Sequence, residues 1–350
     1  MIPEPPELSP SKMDGELSVS VVQPRAHPFD PEGAVRAVEE GVRTEAARGA
    51  RLVLFPEAFV GGYPWGLRFG TAVGGRTDAG KEMYRRYWAS AITIPGPESD
   101  RLARVAREAG VLLGVGVVER LPGRGGTLYC TLAWYGPEGG PPRIHRKLKP
   151  TAAERLVWGE GDGSTLPVVE VDGWRAGGLI CWENYMPLAR TAMYGKGIEV
   201  YAAPTADDRD RWQSTLRHIA VEGRCYVLGC NQYVLRSHYP EGVDPEGELD
   251  GSPDEMCRGG SVVYGPDGSC LAGPLHGAPG VLRVALDPGA LARERFEFDP
   301  VGHYARPDVF RLSVNEEASP SVSFEGGGSP GRAGPGRLGP GAEQGFEDTP

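Results

Sequence analysis

The 350 residues carry 37 Lys and Arg against 47 Asp and Glu, a net charge of −10, and no basic stripe is visible, which argues against a nucleic-acid partner. No run approaches the roughly 18 apolar residues of a membrane span, and residues 1–15, rich in Pro and Glu, lack the basic and apolar regions of a signal peptide. Six cysteines in a chain this long do not read as a disulfide framework; Cys130, Cys225 and Cys230 lie in apolar runs and read as reduced and buried, so a cytoplasmic location is expected.

In chain order, residues 17–23 alternate as a first strand. Asp30-Pro31 starts a helix on which Ala34, Val35, Val38, Val42 and Ala46 recur at helical spacing and which Gly49 closes. Residues 51–55 read as a short buried strand, 99–109 as a second amphipathic helix and 111–119 as a strand. Residues 128–135 and 143–148 flank a Gly/Pro turn and read as a hairpin. Residues 168–171 and 176–181 pair around Asp172-Gly173. A helix over 187–194, a strand over 199–203, a helix over 209–223 and a strand over 226–231 follow, with late strands at 260–264 and 281–285. Alternating helices and strands with hairpins mixed in predict an α/β fold with mixed sheets and helices packed outside. Residues 1–15 are expected to be a flexible segment and 16–318 a single domain. Residues 319–350, dense in Gly, Pro, Ser and Glu, are expected to be a disordered tail.

Three segments carry chemistry. Gly177-Gly-Leu-Ile-Cys181-Trp-Glu-Asn-Tyr185 is an apolar run ending on a thiol and turning toward a helix. Backbone N–H groups and the helix's positive end would favour thiolate there. A lone cysteine in such a run reads first as core. Leu52-Val-Leu-Phe-Pro-Glu57 puts an acid just past a buried strand end, at the rim where an open α/β layer holds its site; by itself it reads first as a solvated loop carboxylate. In His145-Arg-Lys147-Leu-Lys149-Pro-Thr151, alternation puts Lys147 and Lys149 on one face, so spacing does not separate them, and an edge lysine guarding against aggregation is the plainer reading. A lysine beside a carboxylate and a thiol would keep both ionised. Glu154 is a second acid within reach of the same rim. Tyr63 and Trp65, in a Gly- and Pro-set turn, could wall an apolar pocket with Trp182 and Tyr185. His145 and His218 lack paired metal-ligand spacing, and Cys225 and Cys230 lack that of a zinc knuckle, so no metal or cofactor is expected.

Together and in this order, the segments resemble the nitrilase superfamily, and within it the true nitrilase branch. Phe-Pro-Glu57, His-Arg-Lys147-Leu-Lys-Pro-Thr, Glu154-Arg-Leu-Val-Trp-Gly-Glu-Gly-Asp-Gly and Cys181-Trp-Glu-Asn-Tyr-Met-Pro-Leu-Ala-Arg carry the resemblance, with Gly-Gly-Tyr63-Pro and Gly302-His-Tyr-Ala-Arg-Pro-Asp308. The resemblance implies a four-layer α-β-β-α sandwich that pairs into a homodimer, often extended into spirals. It also implies a small-molecule nitrile substrate, taken to carboxylic acid and ammonia through a thioimidate and an acyl-enzyme. Cys181 would be the nucleophile, Glu57 the general base, Lys147 the stabiliser of the intermediate and Glu154 the auxiliary acid that positions it. An amidase or carbamoylase with the same three residues, and a filament-forming pseudoenzyme, are the competing readings.

Overall fold

The computed structural model describes residues 15–123, 125–320 and 322. The flexible segment expected over 1–15 and the tail expected over 319–350 fall outside the described residues, apart from Gly15, Ser319, Pro320 and Val322. The described residues up to Glu317 form one compact unit.

The elements are β1 (Leu17–Gln23), α1 (Pro31–Ala46), β2 (Leu52–Leu54), a small hairpin of β3 (Thr71–Ala72) and β4 (Gly75–Arg76), α2 (Asp78–Ser90), β5 (Ile92–Thr93), α3 (Pro97–Ala109), β6 (Leu112–Arg120), β7 (Leu128–Tyr135) and β8 (Arg143–Arg146). The second half adds β9 (Val169–Val171), β10 (Trp174–Gly178), α4 (Pro187–Gly195), β11 (Val200–Pro204), α5 (Asp210–Gly223), β12 (Tyr226–Cys230), β13 (Tyr233–Leu235), β14 (Glu255–Tyr264), β15 (Cys270–His276), β16 (Gly280–Leu286) and α6 (Pro288–Glu297).

One sheet runs β16-β1-β2-β6-β7-β8, with β5 beside β6; the other runs β13-β14-β12-β11-β10-β9, with β15 beside β14. Parallel pairs (β1–β2, β2–β6, β10–β11, β11–β12) are joined through helices, as parallel strands require. The hairpin strands pair antiparallel. Period-two alternation assigns the layers. Leu52 and Leu54 belong to the core that also holds Val200, Ala202 and Leu228 of the other sheet, so this core lies between the sheets. Val53 points the other way, into a core with Val35, Val38 and Val42 of α1 and Leu102 and Val105 of α3. Tyr201 and Ala203 do the same on the far side, against Met193 of α4 and Trp212, Leu216 and Ile219 of α5. The expected α-β-β-α sandwich follows. Each fully buried Val or Leu on these faces contributes about 1.5–3 kcal/mol.

Local signals set the helix ends. Asp30 Oδ1 accepts from Gly33 N at 2.9 Å to cap α1, and Gly110, at φ +65°, ends α3. Helix α2 was unassigned from sequence, although Thr77 caps it and Met83 and Tyr87 supply its buried stripe. The strand expected over 143–148 stops at Arg146, and the helix expected directly after Cys181 is a five-residue 3-10 turn, Cys181–Tyr185, with α4 beginning at Pro187.

Candidate active site

Glu57 lies on the turn that leaves β2. The turn presses against β6, where Gly116 N donates to Pro56 O at 3.0 Å and Val60 N donates to Gly116 O at 3.1 Å. A side chain at Gly116 would come within 2.2 Å of Pro56 O and 2.6 Å of Glu57 Cα, so only glycine allows the approach. Sequence placed Glu57 at a rim; the structure buries it completely.

Lys147 is also fully buried. Its N–H donates to Cys130 O at 2.8 Å, and its Nζ donates to Glu57 Oε1 and Glu154 Oε2, each at 2.7 Å. Tyr63 OH donates to the other Glu154 oxygen at 2.7 Å. Lys149 has a different fate: it is half-exposed and pairs with Glu160. Alternation carries Lys147 to the buried side with His145, but β8 ends at Arg146 and Lys149, farther along, turns outward, so the two lysines that spacing left equivalent are separated.

Cys181 follows β10 at φ +50°, a left-handed conformation that is costly for a residue with a Cβ. Ala58 and Ala152, beside Glu57 and Glu154, are also left-handed, at φ +47° and +45°. Backbone strain therefore gathers around these three groups. Thr205 Oγ1 donates to Cys181 Sγ at 3.1 Å. Asn184 Nδ2 donates to Leu179 O at 3.0 Å and to Cys181 O at 2.8 Å, locking the turn.

Burial dominates the electrostatics. It pushes the Glu57 carboxyl up to about 7, against the opposing pull of Lys147 and with a further push from Glu154. The Cys181 thiol also lies close enough to bias that carboxyl toward its charged form, while Glu57 Oε2 has no hydrogen-bond partner among the described residues. Burial works against the Lys147 ammonium, but the charges of Glu57, Cys181 and Glu154 outweigh it and hold Lys147 well above the usual lysine range. Cys181 departs from the sequence expectation. Burial and then the Glu57 charge push its thiol up, with Lys147 offsetting them only in part. This balance favours the thiol form, and a short 3-10 turn replaces the helix that was expected to favour thiolate.

A cavity of about 330 Å³ opens onto Cys181 and is lined by Tyr63, Trp65, Glu154, Trp182, Asp207 and Arg209, among others. Three of the four expected pocket residues line it. Tyr185 does not: its ring packs edge-on against Trp182 and Trp212. Trp182 is held by Nε1 donation to Asp207 Oδ2 at 2.8 Å and by Arg209 over its ring at 4.9 Å. A separate cavity of about 580 Å³, between α4 and residues 300–316, contains none of Glu57, Lys147 and Cys181.

Several supporting residues went unread in the sequence. Glu183 is buried, accepts from Ile180 N at 2.7 Å and from Leu148 N, and bonds His145 Nε2 at 2.8 Å. It ties the Cys181 turn to the backbone next to Lys147. The Glu183 charge holds His145 above the usual histidine range despite burial. Cys130 Sγ lies 3.5 Å from Glu57 Oε1, while Thr205 donates to the Cys181 thiol and Asn184 fixes its turn. Glu183 had one sequence signal: an acid three residues after Ile180, the position from which a carboxylate reaches back to a turn's first N–H.

The family model described as carbon-nitrogen hydrolase matches residues 18–295. An aliphatic nitrilase of Sinorhizobium fredii is 49% identical over 88% of this chain and 98% of the relative. A bifunctional nitrilase/nitrile hydratase of Nicotiana tabacum is 49% identical over 88% of each, and nitrilase 1 of Arabidopsis thaliana is 47% identical over 88% of this chain and 89% of the relative. Among solved structures, a mutant amidase of Nesterenkonia from the nitrilase superfamily superposes with TM-score 0.59 at 22% identity, covering 81% of this chain and 95% of its own. A Saccharomyces cerevisiae member of branch 10 of that superfamily gives 0.62 at 18% identity, covering 83% and 97%. At such identities the structures speak to the fold alone.

Proposed function

The chain belongs to the carbon-nitrogen hydrolase family, and from that premise we propose that it is a nitrilase, converting an organic nitrile and two waters to a carboxylic acid and ammonia. The observation that carries this reading is the buried Glu57–Lys147–Glu154 chain of ion pairs beside the Cys181 thiol, which lines a cavity walled in part by Tyr63, Trp65 and Trp182. Relatives over nearly the whole chain are named nitrilases.

The steps follow from the charges. Its surroundings push the Cys181 thiol up, so attack on the nitrile carbon calls for a base, and Glu57, raised to about 7, is matched to that task. The thiol proton passes through Glu57 to the nitrile nitrogen as the S–C bond forms, leaving a thioimidate. Lys147 stays cationic and donates to the nitrogen as charge develops there, helped by the backbone N–H of Trp182. Water delivered by Glu57 adds to the thioimidate. Collapse of that adduct expels ammonia and leaves a thioester, and a second water cleaves it to the acid and the free thiol. Glu154 takes no proton in this scheme; bonded to Lys147 and Tyr63, it keeps the ammonium aimed. The sequence balances with water alone and calls for no cofactor.

Tyr63, Trp65 and Trp182 form the pocket wall, which suits an apolar substituent. We also place the enzyme in the cytoplasm, where its free cysteines stay reduced. No helix among the described residues is long and apolar enough to cross a membrane. A homodimer or larger assembly is proposed, supported by the exposed apolar side chains of Leu188, Tyr304, Val309 and Phe310.

The test is ammonia release from a panel of aliphatic, aromatic and arylaliphatic nitriles, with acid and amide both quantified. Acid and ammonia in equal amounts from at least one class support the reading. Faster release from primary amides than from any nitrile replaces it with an amidase.

A further inference from the structure

The Tyr63–Trp65 wall has a second cavity behind it. This cavity also measures about 330 Å³ and is lined by Pro64, Leu67, Ala153, Val157 and Trp158. It shares Tyr63, Trp65 and Glu154 with the cavity that holds Cys181, so these residues partition one space from the other.

The partition is held from outside the site. The Glu248 side chain is only 2% exposed. Its Oε2 accepts from Arg68 N at 2.7 Å and Phe69 N at 3.1 Å, and its Oε1 accepts from Gly70 N at 2.8 Å. Phe69 and Gly70 are both left-handed, at φ +56° and +61°, which turns three successive N–H groups toward one anion. Asp244 fixes Glu248 in turn, accepting from Glu248 N at 2.9 Å and Leu249 N at 2.7 Å. At the other end of the loop, Tyr239 OH donates to Trp65 O at 3.0 Å and to Tyr63 O at 3.3 Å. Between the two anchors, a side chain at Gly66 would come within 2.8 Å of Leu249 Cδ2, so the segments are in close contact. The 63–70 loop is thus gripped at both ends by the segment from Tyr239 to Leu249.

We propose that Glu248 is a positioning residue that, by binding the backbone N–H groups of Arg68, Phe69 and Gly70, fixes the Tyr63–Trp65 partition and thereby limits the length of nitrile the catalytic pocket accepts. The proposal rests on the nitrilase reading. Held in place, the wall fits short substituents and closes off the rear cavity. Released, it lets the two cavities merge, so that long substituents gain room and short ones lose contact.

Glu248→Gln keeps the shape but turns an amide N–H₂ toward a backbone donor and removes the charge that three N–H groups bind. Tyr239→Phe removes one hydroxyl and serves as the milder variant. For each, kcat and KM are measured on a short alkyl nitrile and a long phenylalkyl nitrile. The long-to-short ratio of kcat/KM is expected to rise about tenfold, the low end of what pocket contacts of this kind discriminate, in Glu248→Gln. The rise should come mainly through KM, with a smaller rise in Tyr239→Phe and an unmoved acid limb of the pH profile. Equal losses on both substrates, or no change on either, overturn the proposal. Alkylation of Cys181 by a small and a bulky iodoacetamide reads the same partition without nitrile chemistry. A wild type inert to every nitrile defeats the nitrilase reading alone, whereas an unchanged alkylation ratio in both variants defeats the partition.

Discussion

Replacing Lys147 with Met removes the cation shared by Glu57 and Glu154 while keeping the length of the side chain. Both pairs are 2.7 Å, and Glu57 and Lys147 are fully buried. Removing one partner of a buried pair costs about 3–5 kcal/mol, because the remaining charge is stranded. At about 2.1 cal/mol/K of unfolding entropy per residue over roughly 300 ordered residues, that lowers Tm by about 5–8 °C. The loss depends on pH. Without the ammonium, the buried Glu57 carboxyl, already pushed up by burial, holds its proton in the folded state at pH values where the unfolded chain has released it. The folded state then binds more protons than the unfolded one, so stability falls as pH rises above the ordinary glutamate range. The deficit is therefore expected to be larger at about pH 8 than at about pH 5. Ammonia release should fall at least about 10²–10³-fold, the cost of losing one preorganised donor to the developing charge. Lys149→Ala breaks only an exposed pair, worth about 0–1 kcal/mol, and should keep most activity. Thermal melts at both pH values, with ammonia assays, decide the matter. A Lys147→Met enzyme that melts like wild type at both values and stays active, while Lys149→Ala dies, refutes the reasoning.

Further outcomes follow from the same geometry. The kcat/KM of the wild type should fall as pH drops through about 7, because Glu57 must be ionised to take the thiol proton; a profile flat well below that value contradicts its role as base. Glu183→Gln should lower the denaturant midpoint by the equivalent of about 1–3 kcal/mol, since it leaves a buried backbone N–H unpaired. It should also cut kcat more than it raises KM, and a variant with unchanged kcat would show that the Cys181 turn holds without it. Truncation after Pro320 should leave ammonia release and Tm unchanged, because the remaining residues carry no apolar pattern to pack; a drop of several degrees would show that they dock.

The layered fold was legible because β-period and helix-period patterns dictate which face each side chain takes. Leu52, Val53 and Leu54, all apolar, alternate between two cores because successive side chains of a strand take opposite faces. Glu57, Lys147 and Cys181 were legible from their neighbours, in three segments far apart in the chain. What the chain did not disclose was tertiary. Lys147 and Lys149 differ because Lys147 still holds the β7 register through its N–H to Cys130 O, whereas the chain beyond it leaves the sheet and Lys149 pairs with Glu160. At Cys181 burial and two nearby carboxylates push the thiol up against one lysine, a balance visible only once all four groups are in place. Glu248 went unread because its hydrogen bonds go to backbone N–H groups, which leave no side-chain signature in sequence, and Glu183 carried only its three-residue spacing from Ile180.

The central claim is that Cys181 becomes covalently bonded to the substrate carbon, with Glu57 as its base. Turnover of a slow nitrile, quenched in acid and mapped by mass spectrometry, tests it most directly. The account predicts a thioimidate or thioester mass on the Cys181 peptide alone, absent from those of Cys130, Cys225, Cys230 and Cys257, and formed far more slowly in Glu57→Gln. Acid and ammonia accumulating at full rate with no adduct at Cys181, or in a Cys181→Ala enzyme, would contradict it.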